Sequence, residues 1–337
     1  MNAPHRRRGL TTAVLAALGA AALTLTACSG ADPSPTAGGS EEPAGLTSVK
    51  LVVAPIHFEA AYIAQEQGFF EDHGLDVEII SGGAPLQNIA MAVSGEADIV
   101  TGSWGTAVTS LAQGMPLKVI SGNGYTSPDF ATSGVVVRAD SPIQDVADLA
   151  GAVIGIQGLN TGSEVPLFFA AEDAGIAPDS FERVELASTA MATSLDEGTV
   201  DAVLASAPFF NQLVAAGNRV ISEPSMEFLP YAPVTVWTVT EDWLSQHEDV
   251  AESFNLAMAE AAEFYMDPAN ADAVLDITAR VSQVDKATLS AESLIPIGVE
   301  IDVPAATKQR DGFVEFGIVE SAPTVDDILW ADAPRSE

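Results

Sequence analysis

Few residues in this chain could make or break a covalent bond. Its one cysteine is Cys28, and after His5 the histidines are His57, His73 and His247, far apart and without the H-E-x-x-H spacing of a metal site. Nucleophile-elbow, dinucleotide, P-loop and C-x-x-C patterns are all missing, so neither a catalytic group nor a cofactor is predicted. The chain does carry hydrogen-bonding and aromatic side chains set in short small-residue turns, which suits holding a solute better than transforming it. The candidates from the first half are His57 and Phe58 in PIHF, Ser103 and Trp104 in GSWG, and Tyr125 after GNG. From the second half they are Asn160, Thr161 and Ser163 in GLNTGS, with Pro208 and Phe209.

Each candidate has a plainer reading beside it. Trp104 walls a site or plugs a core gap, and Phe58 and Phe209 divide in the same way. Thr161-Gly162-Ser163-Glu164 matches a capping box, in which Thr161 and Glu164 satisfy a helix end instead of a ligand. His57 donates to a ligand or is an exposed loop histidine. Trp237, in an extended stretch, suits packing. No lysine or arginine falls in these loops; Lys118 and Arg138, the nearest, lie in predicted strands. An anion would therefore rely on neutral donors and helix ends, whereas arginine forks are the stronger solution. The aromatic set favours an uncharged heteroaromatic or other organic solute, with an aliphatic sulfonate as the alternative.

The elements that must position these turns alternate between strand and helix. Around Gly95–Gly122 a buried strand at Ala97–Thr101, a tight turn at Gly102–Gly105, a helix at Thr106–Gln113 and a strand opening at Leu117 form a βαβ crossover. Upstream, strands at Val49–Ala54 and Leu75–Ile80 flank helices at Glu59–Gln67 and Leu86–Ser94. Ligands in parallel sheets of this type sit beyond the carboxyl ends of the strands, which is where the candidate turns fall. A second α/β stretch begins after the extended run Gly134–Arg138. It holds a strand at Ala152–Ile156 and a helix at Ser163–Ala174, and it ends at the extended run Pro233–Thr240. Helices at Glu241–Tyr265, Ala269–Val281, Lys286–Glu292 and Ala305–Phe316 follow. Two extended crossings around one lobe predict two lobes joined by a pair of hinge segments.

The N-terminus reads as an export signal. Arg6-Arg7-Arg8 precedes an apolar run from Leu10 to Ala27, and Leu25-Thr26-Ala27-Cys28 resembles a bacterial lipobox. That resemblance implies cleavage before Cys28 and lipid attachment at its sulfur; Sec and twin-arginine export both fit. The Gly-, Ser-, Pro- and Glu-rich segment to Thr47 reads as a flexible tether. The net charge is −34, and removal of three leader arginines makes the remainder more acidic. With no basic patch, nucleic acid is excluded as a partner. The predicted organisation is a signal peptide at 1–27, a tether at 28–47, lobe 1 at 48–130 plus 236–322, lobe 2 at 131–235, and a C-terminal tail at 323–337.

The chain also resembles a family. The matching residues are Tyr62-Ile63-Ala64 through Gly68-Phe69-Phe70, Gly74-Leu75-Asp76-Val77-Glu78, Gly95-Glu96-Ala97-Asp98-Ile99 and Gly114-Met115-Pro116-Leu117-Lys118. Asp148-Leu149-Ala150-Gly151 with Ile154-Gly155, and Gly198-Thr199-Val200-Asp201-Ala202, continue the match in the second lobe. In order and spacing these resemble the ABC-importer substrate-binding proteins for sulfonates, taurine, nitrate and thiamine-precursor pyrimidines (SsuA/THI5-like, NMT1-like). The resemblance implies an α/β periplasmic-binding-protein type II fold whose two lobes close on a small solute. It further implies a monomeric, lipid-anchored receptor on the extracytoplasmic face of a bacterial membrane, partnered by a permease. Fungal relatives that make the thiamine pyrimidine carry a cysteine-rich motif, which one lipidated cysteine cannot supply. That enzyme reading, and a solute sensor uncoupled from transport, stand as the alternatives.

Overall fold

A computed structural model describes residues 45–55, 57–159, 161–290 and 294–337. The leader, nearly all of the tether with Cys28, and Asn160 lie outside the described residues.

The first strands are β1 (Thr47–Val53), β2 (Leu75–Ser81), β3 (Ile99–Ser103) and β4 (Leu117–Tyr125). They are connected by α1 (Glu59–Gln67), α2 (Phe69–Asp72), α3 (Pro85–Ser94) and α4 (Trp104–Ala112). Their apolar runs suit strands covered on both faces: Leu51, Val52 and Val53 of β1 are all buried. Gly95 stops α3 in the left-handed region (φ 76°), a conformation that a side chain would strain.

The chain then crosses to β5 (Ser133–Val137), β6 (Val153–Ile156), β7 (Glu182–Glu185), β8 (Ala202–Ser206) and β9 (Arg219–Ser222). The helices of this half are α5 (Glu164–Asp173), α6 (Ser188–Asp196), α7 (Phe209–Ala215) and α8 (Pro224–Phe228). It returns as β10 (Pro233–Thr240), followed by α9 (Glu241–Leu244), α10 (Glu248–Met266), α11 (Ala271–Ser282), β11 (Ile301–Asp302), α12 (Val303–Glu315), α13 (Val325–Ile328) and β12 (Arg335–Ser336).

The two large sheets share one plan. The first runs β2-β1-β3-β10-β4 and the second β7-β6-β8-β5-β9. In each, the strand that arrives from the other half is antiparallel to both neighbours: β10 between β3 and β4, and β5 between β8 and β9. The shared plan extends to side chains. The Asp98 carboxylate accepts from Lys50 N at 2.8 Å, and the Asp201 carboxylate from Val153 N at 2.8 Å. Each aspartate directly precedes the central strand of its sheet, β3 or β8, and ties it to the neighbouring parallel strand, β1 or β6. Two of the family motifs, Gly95–Asp98 and Gly198–Asp201, thus do the same work twice.

The crossings between sheets are bonded to one another. Tyr231 N donates to Thr126 O at 2.8 Å, Thr126 N donates to Ala232 O at 3.0 Å, and the Thr126 hydroxyl reaches Leu229 O. Helix α12 also links the halves. Its Gly312 lies against Val165 and Phe169 of α5, and Phe316 packs edge-on to Phe168 and Phe169 with centroids 5.2 and 5.0 Å away.

Two expectations need correction. The helix expected over 241–265 is broken at 245–247: α9 is capped by the Thr240 hydroxyl, and His247 leaves helical geometry before α10 begins. The stretch expected as a tail, 323–337, is packed. Thr324 caps α13, and Val325, Ile328, Leu329 and Trp330 are buried in the first core, with Trp330 N donating to Val119 O at 2.9 Å. Its Asp- and Pro-rich composition hides four apolar residues at helical and turn spacing. Among the described residues, no helix is long and apolar enough to cross a membrane.

Candidate functional site

The carboxyl ends of strands from both sheets open on one cavity of about 610 Å³. From the first half, Ser103 at the end of β3 and Gly105, Thr106 and Thr109 of α4 line it. Gln157, Gly158, Thr161, Gly162 and Ser163, between β6 and α5, face them from the second half, with Ser206, Pro208 and Phe209. Thr126, Ala232 and Val234, from the crossings and the start of β10, also line it. Among the described residues the lining holds no lysine, arginine, aspartate or glutamate, and its polar character is mostly hydroxyl.

The halves touch at two glycines. A Cβ on Gly105 would stand 3.0 Å from Gly162 N, 3.1 Å from Gly162 Cα and 2.9 Å from the Phe313 ring. The opening turn of α4 therefore meets the loop before α5 backbone to backbone, with Phe313 of α12 beside them.

Of the expected site residues, His57, Ser103, Thr161, Ser163, Pro208 and Phe209 line the cavity. Ser103 also caps α4: its hydroxyl accepts from Thr106 N at 3.0 Å and pairs with the Thr106 hydroxyl at 2.8 Å. Only half of the expected capping box forms. The Glu164 carboxylate accepts from Thr161 N at 3.0 Å, but the Thr161 hydroxyl donates to Gly158 O at 3.0 Å and pairs with Ser163 at 2.7 Å. Glu164 is 0% exposed and binds Arg183 at 2.6 Å.

Three expected residues fall outside the lining. Trp104 is 0% exposed and packs in the first core with Ala107 and Val108, because α4 starts at Trp104, inside the expected turn, and turns the indole inward. Phe58 packs edge-on to Trp237 with centroids 5.1 Å apart, and is also core. Tyr125 ends β4 and lies against Gly298, its amide donating to Pro296 O at 3.1 Å. The aromatic wall is Phe209 alone among the described lining residues. Thr106, Thr109, Gln157, Ser188 and Gln309 line the cavity without having been expected there. A polar residue on a helix gives no sign of facing a cleft until the partner lobe is placed.

His57 stands in the left-handed region (φ 67°), held there from outside. Asn123 donates to His57 O at 2.7 Å and to the Thr235 hydroxyl at 2.8 Å, binding the loop to β4 and β10. Burial lowers the His57 pKa from 6.5 to about 4, so the imidazole is uncharged at neutral pH. The carboxyl of the neighbouring Glu59, which is buried while His57 is only partly so, is raised by desolvation. A lowered histidine leaves the unfolded chain to take the proton first. Its contribution to stability is thus complete above about pH 6.5 and falls away towards pH 4. Urea unfolding at pH 7.5 and 4.5 is expected to show roughly 1–3 kcal/mol more loss in the wild type than in His57→Gln. Glu59 acts with the opposite sign, but it is present in both proteins and cancels. Parallel profiles would place the imidazole in water.

Two mixed sheets of this strand order, joined by paired crossings around a shared cavity, define a periplasmic-binding-protein fold. The chain belongs to the NMT1/THI5-like family, whose profile matches residues 56–271. Among solved structures it is similar to the aliphatic sulphonate binding protein SsuA of Escherichia coli, with a TM-score of 0.73 and 14% identity over 85% of this chain and 98% of that one. It is also similar to the nitrate-binding protein NrtA of Synechocystis PCC 6803, with a TM-score of 0.65 and 14% identity over 84% of each. A Haemophilus influenzae protein provisionally named for thiamine biosynthesis is 31% identical over 154 residues, 45% of this chain and 46% of that protein. The chain thus matches about half the length of that relative. A provisionally named binding protein of Brucella abortus is 25% identical over 288 residues, 80% of this chain and 85% of its own.

Proposed function

We propose that this protein is the solute-binding receptor of an ABC importer, anchored through Cys28 outside the cell membrane, and that it closes its lobes on a small uncharged organic solute. The observation that carries this reading is the cavity where both lobes' strand ends meet, lined by hydroxyls and free of charged side chains among the described residues. A solute touching both walls binds the closed arrangement better than the open one, so it shifts the population by that difference in affinity. A volume of about 610 Å³ suits a ring compound with substituents. Phe209 offers one aromatic face, and the neutral imidazole of His57 adds a hydrogen bond without charge.

A desulfurization enzyme, DSZB, shares the fold with a TM-score of 0.61 at 16% identity, and a cysteine-to-serine mutant of it has been crystallised with biphenyl-2-sulfinic acid. In this chain the sole cysteine precedes the folded body, so a thiol mechanism in the cavity has no nucleophile.

The reading is tested by a thermal-shift screen across alkanesulfonates, taurine, nitrate, pyrimidines, flavins and amino acids, followed by calorimetry on the hits. Uncharged ring compounds are expected to raise the melting temperature. Stabilisation by the sulfonates or nitrate alone would overturn the solute class, and a permease gene beside this one would favour transport over sensing.

A further inference from the structure

The plan shared by the two sheets runs on into the cavity and breaks there at one hydroxyl. Five residues after each of the equivalent aspartates stands a serine, Ser103 after Asp98 and Ser206 after Asp201, and both line the cavity. Each ends the central strand of its sheet opposite a hydroxyl residue of the reversed strand: Ser103 is in register with Thr235, and Ser206 with Ser133. In the first lobe α4 begins on the next residue, and the Ser103 hydroxyl is committed to its first turn. In the second lobe Ala207 and Pro208 intervene, and α7 begins only at Phe209. Proline has no N–H to offer, and α7 has no side-chain cap. The Ser206 hydroxyl bonds to no described residue, and unlike Gln309 Oε1 it is not sealed in the interior, since Ser206 is only partly buried.

Its surroundings are rich in the same group. Ser133 pairs with Ser225 at 3.3 Å, and Thr132, whose carbonyl accepts from Ala207 N at 2.8 Å, adds a hydroxyl with no partner among the described residues; all three line the cavity. On the first lobe, the ring nitrogens of the partly buried His57 likewise bond to no described residue; only its backbone is held. Free hydrogen-bonding groups thus stand on both lobes, an imidazole on one and a hydroxyl on the other. Each donates or accepts, and at neutral pH neither carries a charge. A solute with one polar end engages one of them; a solute with two engages both, and only the second draws the lobes together through these bonds. We infer that Ser206 is a solute-binding residue of the second lobe and that, with His57 across the cavity, it selects an uncharged ring compound carrying a hydrogen-bonding group at each of two opposite ends. This rests on the cavity being the solute site.

The test uses 1,4-benzenedimethanol, a ring with the same hydroxymethyl group at both ends, and benzyl alcohol, which keeps only one. Because the ends of the first compound are alike, its orientation in the cavity does not matter. Calorimetry on the wild type is expected to show the two-ended compound bound about tenfold more tightly, the worth of one hydrogen bond. Ser206→Ala is expected to cut that ratio to about twofold or less, weakening the two-ended compound and sparing benzyl alcohol, whereas Ser206→Thr keeps the hydroxyl and most of the ratio. A merely structural role would weaken both compounds alike. A ratio unchanged in Ser206→Ala overturns the role of Ser206 and leaves the cavity reading standing. No preference in the wild type, or no binding of either compound, overturns the two-ended solute. Ser188→Trp, which fills the cavity from its wall, separates the two readings: binding of 1,4-benzenedimethanol that survives it means the solute binds elsewhere, and both fall. A second measurement needs no solute. Ser103→Ala is expected to lower the melting temperature by about 2–4 °C through the loss of a helix cap, and Ser206→Ala to change it by less than about 1 °C. An equal fall in the two variants would show the Ser206 hydroxyl engaged in the fold, and so overturn its role in binding.

Discussion

Arg183→Ala is expected to lower unfolding stability by about 3 kcal/mol. The guanidinium meets the Glu164 carboxylate at 2.6 Å and also lies 5.0 Å from the centre of the Phe168 ring. Glu164 is fully buried while Arg183 keeps some exposure, so removing the arginine strands a carboxylate that water cannot reach. Among the described residues only Thr161 N would remain to bond its side chain. The figure sits at the low end of the usual range because Arg183 is partly hydrated already. Urea unfolding at pH 7 measures it, and adding Glu164→Gln to Arg183→Ala should restore more than half of the loss by removing the stranded charge. A change below roughly 0.5 kcal/mol, within the range of ordinary surface substitutions, would show that the pair does not bear on folding. Since Glu164 also holds Thr161, the damage extends into the cavity wall.

Gly105→Ala should act in the opposite way, sparing the fold and impairing binding. Alanine is favoured over glycine in a helix by about 1 kcal/mol, so α4 itself gains. The new methyl group, however, would stand 3.0 Å from Gly162 N and 2.9 Å from Phe313 Cζ, and the first of these is backbone that cannot turn aside. Overpacking of this kind costs about 1–3 kcal/mol, borne here by the contact between lobes. Solute affinity is expected to fall roughly 10- to 100-fold. Small-angle X-ray scattering should show a larger radius of gyration at an unchanged or higher melting temperature. An identical scattering curve together with identical affinity would mean that the lobes do not need this approach.

Much of the fold could be read from the amino-acid order because its signals are local. Apolar runs of four to six residues, such as those at β1, β3 and β6, marked strands of both sheets, and left-handed glycines such as Gly95 marked the helix ends. The repeat hidden in those signals could not be seen. Gly95–Asp98 and Gly198–Asp201 share a glycine and an aspartate, and their equivalence appears only once each carboxylate is seen on a strand 48 residues away. The site divided along another line. Ser103, Thr161, Ser163, Pro208 and Phe209 sit at element boundaries, where direction is set by the turn. Trp104 and Phe58 also sit at boundaries, but one residue of helix register sends a large ring into the core, and residue type does not reveal register. Gln309 comes from the far end of the sequence, on a helix whose pattern looks like any solvent-facing one.

The strand order carries a consequence for assembly. Every strand of the second sheet lies within one unbroken stretch, 133–222, so that half can complete itself from neighbouring residues. The first sheet has a gap between β3 and β4 that only β10 fills, and β10 follows the whole of the second half. Distant pairings form slowly because the intervening chain must first be brought round. The half that begins the polypeptide is therefore the last to be finished, and until β10 slots in it presents two unsatisfied strand edges of the kind that chaperones shield.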